Sequence, residues 1–333
     1  MVEKVSVMEE DWDYLIVLDA CRYDYFSELY RDYLRGELKK VISLGSNTLE
    51  WSKKSFQEVY SDVIYISANP YINSKGEVKG FNASNYFFKV IDVWNWGWNE
   101  EFGTVHPKTV NEAVQSVKDD YPNKRFIIHY LQPHEPYLGH NLRIPGFPRP
   151  EISRGRHPLG GIQKGRNYRV SQISLVKLLA NLTKPVGLFG GNARDVRVNS
   201  LRKICELLNL PPVSPLDAVR RKFGDTGLRQ AYVQNLRLVL EYVARLVENL
   251  SGVAVITADH GERLGESGKY SHESGCRDSL LLEVPWFVVE KATKRNYRQD
   301  EEKNHVSMRK TPEKLGKERK EKIRKRLREL GYL

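Results

Sequence analysis

The 333-residue chain predicts an α/β fold: a mostly parallel central sheet sandwiched between helices, with an α-rich insertion and a basic C-terminal tail. Three observations lead there. Short continuous runs of aliphatic and β-branched residues recur, the pattern of strands buried on both faces. Segments with apolar residues at helical spacing lie between them. Several runs also stop at a polar, chemistry-bearing residue, as strands do at the carboxyl edge of an open sheet where ligands bind.

Tyr14-Leu-Ile-Val-Leu-Asp19 is the first such run and ends at an acid. Tyr25–Leu38 reads as a helix, and Val41-Ile-Ser-Leu-Gly45 as a second strand opening into the loop Ser46-Asn-Thr-Leu-Glu50. Val63–Ser67 is a third strand, and the turn-rich stretch Asn69–Asn85 follows it. Thr109–Asp119 is helical after His106-Pro107. Arg125-Phe-Ile-Ile-His-Tyr-Leu131 is a fourth strand, ending in Gln132-Pro-His-Glu-Pro-Tyr137, which two prolines keep extended or turning. Ser171–Leu182 and Asn199–Leu208 have helical spacing. Leu228–Asn249 carries Leu236, Val239, Leu240, Val243, Leu246 and Val247 on one face, so it packs on the sheet just before the strand Val253–Thr257. A last strand, Leu280–Val289, contains Pro285, which predicts an edge position or an irregular start. These elements divide the chain into a domain over 1–290, with an insertion or lid at 141–228, and a tail over 291–333.

The net charge of +11 invites a nucleic-acid reading, but its distribution argues otherwise. Lys291–Leu333 has sixteen basic and seven acidic residues, and Asn141–Val170 has seven basic and one acidic; the remainder is mildly acidic. The tail therefore reads as a solvated, partly helical segment. If it binds anything, the candidates are anionic lipid headgroups, polyanionic glycans or nucleic acid. The 141–170 loop is either a surface loop or a fold over the site that attracts anions. Three widely spaced cysteines make no disulfide framework and no zinc-finger pattern, and Cys21 reads as a small buried filler. The N-terminus has no apolar core of a signal peptide, and no apolar run reaches about 18 residues, so the expected location is cytoplasmic, with membrane-surface contact through the tail.

The strand Val253-Ala-Val-Ile-Thr257 leads into Ala258-Asp-His-Gly-Glu262, with a second histidine in Ser271-His-Glu-Ser-Gly275. Strand ends in a doubly wound sheet converge, so Asp19, Ser46 or Thr48, His134 and the pair Asp259–His260 belong to one site, with His272 nearby. Two carboxylates with imidazoles suit a divalent ion. A hydroxyl on such an ion becomes a nucleophile. Arg22 offers a planar fork for an anionic oxygen or for a carboxylate such as Asp24. The remaining histidines, His106, His129, His140, His157 and His305, read as structural or solvated.

Leu15-Ile-Val-Leu-Asp-Ala-Cys-Arg-Tyr-Asp24, Gln132-Pro-His-Glu-Pro-Tyr137 and Thr257-Ala-Asp-His-Gly-Glu262, in that order, resemble the sulfatase-like branch of the alkaline phosphatase superfamily. Arg326-Leu-Arg-Glu-Leu-Gly-Tyr-Leu333 resembles the end of many sulfatase-like proteins. The resemblance implies Asp19, Asp259 and His260 as ligands of one metal, shared with a nucleophile after the second strand; Thr48 falls there, with Ser46 as runner-up and Ser52 beyond. It implies His134 and His272 either as a reduced second metal site or as contacts to the substrate's phosphoryl oxygens, with Arg22 beside them. One or two divalent ions are expected: Zn²⁺ or Mn²⁺ first, with Ca²⁺ or Mg²⁺ as alternatives.

Three departures narrow this. Ser46–Ser52 has neither the Cys nor the Pro of a formylglycine motif, which points from sulfate to phosphate mono- or diesters. Asp19 is followed by Ala20 where many sulfatases have paired acids. No Asp-x-x-x-His cluster marks a second metal. The expectation is a hydrolase or transferase working through a phosphothreonine on an anionic ester, glycan- or lipid-linked. The rivals are a sulfatase, a phosphomutase and an inactive polyanion-binding protein.

Overall fold

The computed structural model describes residues 2–138, 146–152, 175, 178, 179, 192–290 and 312–332, with backbone alone for 192–199 and 312–319. Most of the 141–170 loop, most of the expected helix 171–182, and residues 291–311 of the tail lie outside the described residues. So do His140, His157 and His305.

Seven strands form one sheet: β1 (Tyr14–Leu18), β2 (Gly36–Ile42), β3 (Tyr60–Ser67), β4 (Phe87–Asp92), β5 (Arg125–Tyr130), β6 (Ala254–Thr257) and β7 (Glu283–Val289), in the order β2-β7-β6-β1-β5-β3-β4. β1 lies parallel to β5 and β6, and β3 parallel to β5 and β4; β7 alone is reversed, antiparallel to both β6 and β2. The central strand β1 is buried along its whole length, as a strand covered on both faces must be. The edge strand β2 instead exposes Glu37, Lys39 and Lys40, charges that keep a sheet edge from pairing with another chain.

Neighbouring residues of β5 show the two covering layers, because successive side chains on a strand point to opposite faces. His129 packs edge-on against Trp51 of α2 (Thr48–Ser55). Tyr130 donates to Asn111 of α3 (Pro107–Val117) at 2.5 Å. The long α5 (Pro215–Val247) breaks at Gly224, where φ is +67°, and its second half buries Leu236, Val239, Leu240, Val243 and Leu246 in the core.

Several elements differ from the sequence reading. The expected helix Tyr25–Leu38 is only α1 (Tyr23–Leu29) with one further turn, since the chain must already enter β2 at Gly36. β2 accordingly lies earlier than Val41–Gly45. Phe87–Asp92, unread as a strand, forms the far edge. Pro285 is not on an edge strand: it pairs with Lys40 of β2, and the β6 pairing begins one residue later, at Trp286. The proline's missing N–H therefore falls just beyond the end of β6. The tail's last helix, α6 (Pro312–Glu329), packs on α3 and buries Ile323 and Leu327, and beyond it Tyr332 is buried too. Its apolar positions are few and widely spaced, so the charge pattern hid them.

Candidate metal and phosphoryl centre

Four loops at the carboxyl ends of β1, β2, β5 and β6 carry the expected site residues, and a fifth, after β3, adds Asn69. After β1, Asp19 is buried, and Ala20 takes a left-handed φ of +61°. An alanine rarely adopts that conformation, and it is held here because the Ala20 amide donates to Asp259 Oδ1 at 3.1 Å. After β2, Gly45 passes so close to the Trp51 backbone that a Cβ would lie 2.1 Å from its nitrogen. This tight turn delivers Thr48 as the first residue of α2, capped by Asn47, whose side chain accepts from the Glu50 amide. After β6, Gly261 lets the chain fold back: a Cβ there would sit 2.1 Å from the Leu280 carbonyl.

Asp259 Oδ2 accepts from the Thr48 hydroxyl at 2.7 Å. His260 Nδ1 donates to the Gly261 carbonyl at 2.8 Å, which leaves the Nε2 lone pair facing Asp19 Oδ1 at 3.5 Å, Asp259 Oδ2 at 3.4 Å and Thr48 Oγ1 at 3.5 Å. Asn69, absent from the sequence reading, donates to Asp19 Oδ2 at 2.7 Å and to Thr48 Oγ1 at 3.3 Å. Among the described residues, Asp19 Oδ1 has no hydrogen-bond donor.

This donor set fits a divalent cation. Ligands about 2.0–2.1 Å from a tetrahedral ion stand about 3.3 Å apart, close to the separations of 3.4–3.5 Å around His260 Nε2. Burial, together with the charges of Asp259 and Glu262, pushes the Asp19 carboxyl well above its usual range. Such crowding is unfavourable without a counter-charge. Burial also acts to raise Asp259, but His260, His129, the Thr48 hydroxyl and the Ala20 amide outweigh it and hold the group down.

A second group, His134, Glu262 and His272, has ligand atoms within 4.8 Å of one another. His134 Nδ1 donates to the Glu135 carbonyl at 2.7 Å, and burial beside His272 lowers its pKa to about 4, so the imidazole is neutral at pH 7. His272 Nδ1 lies 3.3 Å from both Glu262 oxygens. Its ring centroid is 4.2 Å from that of His260 and 5.2 Å from that of His134. Asp19, Thr48, His134 and His272 share a cavity of about 310 Å³ with Tyr71, Lys79 and Phe147.

Helix α5 fixes two of these loops. Tyr232 donates to the Ala20 carbonyl at 2.7 Å and accepts from the Arg22 amide at 2.9 Å. Asn235 Nδ2 lies at 3.0–3.3 Å from the carbonyls of Pro133, His134 and Pro136, and Asn235 Oδ1 accepts from the Leu138 amide.

The structure thus gathers Asp19, Thr48, His134, Asp259, His260 and His272. It does not bring in Arg22. That guanidinium is tied to Asp24 at 2.5 Å and to Glu266 at 2.6 Å, and it is not among the cavity residues. Of the two partners its fork could serve, it serves the carboxylate. Ser46 is buried, its hydroxyl engaged by the Glu273 carbonyl, Glu50 and the Cys276 amide. His129, read as structural, is one shell from the chemistry: Nδ1 pairs with the Tyr65 hydroxyl at 2.8 Å and Nε2 lies 3.8 Å from Asp259 Oδ2. Asp19, His129 and Asp259 also form a ligand-capable group. Its position on β5, one residue before the strand ends, was the available signal. Glu262 closes the Asp-His-Gly-Glu segment, and no motif or apolar pattern marks Asn69.

No family model matches the chain, and a search of curated proteins gives no match. Among solved structures it is similar to the soluble domain of lipooligosaccharide phosphoethanolamine transferase A from Neisseria meningitidis, at 15% identity and TM-score 0.42, over 82% of this chain and 75% of that one. Against the integral membrane form of that transferase it spans 47% of the length. It is also similar to the C-terminal periplasmic domain of EcEptC from Escherichia coli in complex with Zn (12% identity, TM-score 0.42, 86% and 77% covered). A third is the phosphonate monoester hydrolase SpPMH from Silicibacter pomeroyi (12% identity, TM-score 0.37, 86% and 68% covered). These are likenesses of chain path, and the roles assigned below rest on the side-chain geometry.

Proposed function

We propose that this protein is a metal-dependent hydrolase or transferase acting on a phosphate mono- or diester, with Thr48 as nucleophile. The observation that carries the reading is the Thr48 hydroxyl, 2.7 Å from Asp259 Oδ2. It stands at the first turn of a helix, on a cavity walled by Asp19, His134 and His272. Asp19, Asp259, His260 and Thr48 would hold one cation. When bound, a divalent ion favours ionisation of a coordinated hydroxyl and neutralises charge on phosphoryl oxygens.

The chain's own groups do the rest. Asp259 orients the Thr48 hydroxyl; as that oxygen attacks phosphorus its proton passes to solvent, the bond from phosphorus to the leaving oxygen breaks, and the leaving oxygen takes up a proton from solvent, giving phosphothreonine and the freed alcohol. Water or an acceptor hydroxyl then attacks that phosphorus and releases Thr48. The amides of the first turn of α2 favour the phosphoryl anion. The neutral His134 imidazole and His272 flank it, as hydrogen-bonding partners or, with Glu262, as ligands of a second ion. Thr48 stands where a formylglycine cysteine would, which favours phosphate over sulfate. The positive tail suits an anionic ester carried on a lipid or glycan. Among the described residues no helix is long and apolar enough to cross a membrane.

The test is a panel of aryl phosphate monoesters, diesters and sulfates assayed with Zn²⁺ and with Mn²⁺, for wild type and Thr48→Ala. Turnover of a phosphate ester that Thr48→Ala lacks supports the reading. Full turnover by Thr48→Ala refutes the nucleophile, and turnover of sulfates alone refutes the substrate class.

A further inference from the structure

Ser46 is a fully buried hydroxyl two residues from the nucleophile and takes no part in the chemistry proposed above. We propose that Ser46 and Glu50 are positioning residues that hold His272 in the cavity, locking the loop of the histidine to the turn that presents Thr48. This rests on the reading of Thr48 as nucleophile and His272 as a phosphoryl contact.

His272 belongs to a loop that needs holding. Ser271, just before it, has a left-handed φ of +69°, and Gly275, just after, one of +76°. Such a serine conformation persists only where its surroundings impose it. The restraints are specific. Arg263 Nε donates to the Ser271 carbonyl at 3.2 Å. The Ser46 hydroxyl lies against the Glu273 carbonyl and against Glu50 Oε2 at 2.8 Å, two acceptors for its one proton. The same hydroxyl accepts from the Cys276 amide at 3.1 Å. Glu50 Oε2 accepts from the amides of Gly275 at 2.8 Å and Ser46 at 3.1 Å, while Oε1 pairs with Lys54 at 2.6 Å.

Three contacts from two side chains therefore cross between residues 46–50 and residues 273–276. The clamp sits on the turn that ends at Thr48, so it sets nucleophile and His272 relative to one another. A shift of about 1 Å in such a pair costs on the order of 100-fold in rate.

The experiment is a double-mutant cycle in the full chain: Ser46→Ala, His272→Ala and the double variant, read by kcat/KM on the phosphate ester turned over best and by affinity of the Zn²⁺-loaded protein for inorganic phosphate. If Ser46 acts through His272, Ser46→Ala lowers kcat/KM by about 10-fold or more in wild type and by less than about twofold when His272 is already alanine. Phosphate affinity follows the same pattern. Glu50→Gln, which keeps the side-chain shape, gives the same non-additivity and serves if Ser46→Ala does not fold. Losses that add across the cycle, in either readout, overturn the clamp.

Mass spectrometry of the trapped enzyme keeps the two ideas apart. Phosphate on Thr48 in Ser46→Ala supports the nucleophile whatever the cycle shows. Phosphate on Ser46 in wild type, and none on Thr48, overturns both the nucleophile and the clamp. The phosphate-affinity cycle needs no turnover, so it decides the clamp even if no ester is hydrolysed.

Discussion

Thr48 and Asp259, 211 residues apart in the chain, meet through a 2.7 Å hydrogen bond from hydroxyl to carboxylate. The nucleophile turn and the Asp-His strand end are thereby one unit. Removing the hydroxyl should lower turnover by about 10³-fold or more while leaving the fold intact, because it deletes the attacking atom. Thr48→Ser, which keeps an oxygen but loses the rotamer restriction of a β-branched side chain, should retain measurable turnover. Steady-state kinetics of the two variants beside circular dichroism checks this.

Asp19 gives stability and function opposite signs. Its carboxylate is crowded by Asp259 and Glu262, and among the described residues Oδ1 has no donor. Asp19→Asn keeps an acceptor for Asn69 and removes a buried like charge. In metal-stripped protein it should raise the melting temperature by a few degrees, on the order of 1 kcal/mol. It should also abolish the stabilisation that added Zn²⁺ gives wild type, which follows the mass-action logarithm of ion concentration. Calorimetry with and without Zn²⁺ measures both; a lower melting temperature for stripped Asp19→Asn contradicts the crowding.

Acid should destabilise the metal-free protein through its buried histidines. Burial lowers the pKa of His129 and of His134 from the ordinary 6.5 to about 4. Between those values the unfolded chain binds protons that the folded chain excludes. Stability therefore falls as pH drops from about 6.5 towards 4 and gains nothing further from these groups above 6.5. Urea unfolding across that window tests the sign, and His129→Asn should flatten the slope.

Tyr332 ties the chain beyond α6 to Asp92 at the end of the edge strand β4. Tyr332 donates to the buried Asp92 at 2.7 Å, Asp92 accepts from the Ser74 amide and hydroxyl at 2.9 and 2.6 Å, and Lys89 donates to the Tyr332 carbonyl at 2.9 Å. Tyr332→Phe should cost about 1.5–3 kcal/mol, the range for a hydrogen bond to a charged group. Removal of α6 and the residues after it should cost more by uncovering α3. Chemical denaturation of both variants measures the effect.

Much of this was legible in the chain. The apolar runs of β1, β5 and β6 are buried and carry few polar residues, and each is followed within four residues by a site residue. That alone placed Asp19, His134, Asp259 and His260 at one edge. The sequence also showed the absence of a formylglycine motif and fixed which residue types were on hand for a cation. Tertiary structure decided what local pattern does not encode. Arg22 and Ser46 carry the right chemistry, but their partners, Glu266 and Glu273, lie more than 220 residues away. No spacing rule announces that those partners already occupy them. Asn69, His129 and Glu262 are drawn in by the same long-range packing. So is the clamp on His272, since a hydrogen bond between two loops exists only once the sheet has brought the loops together.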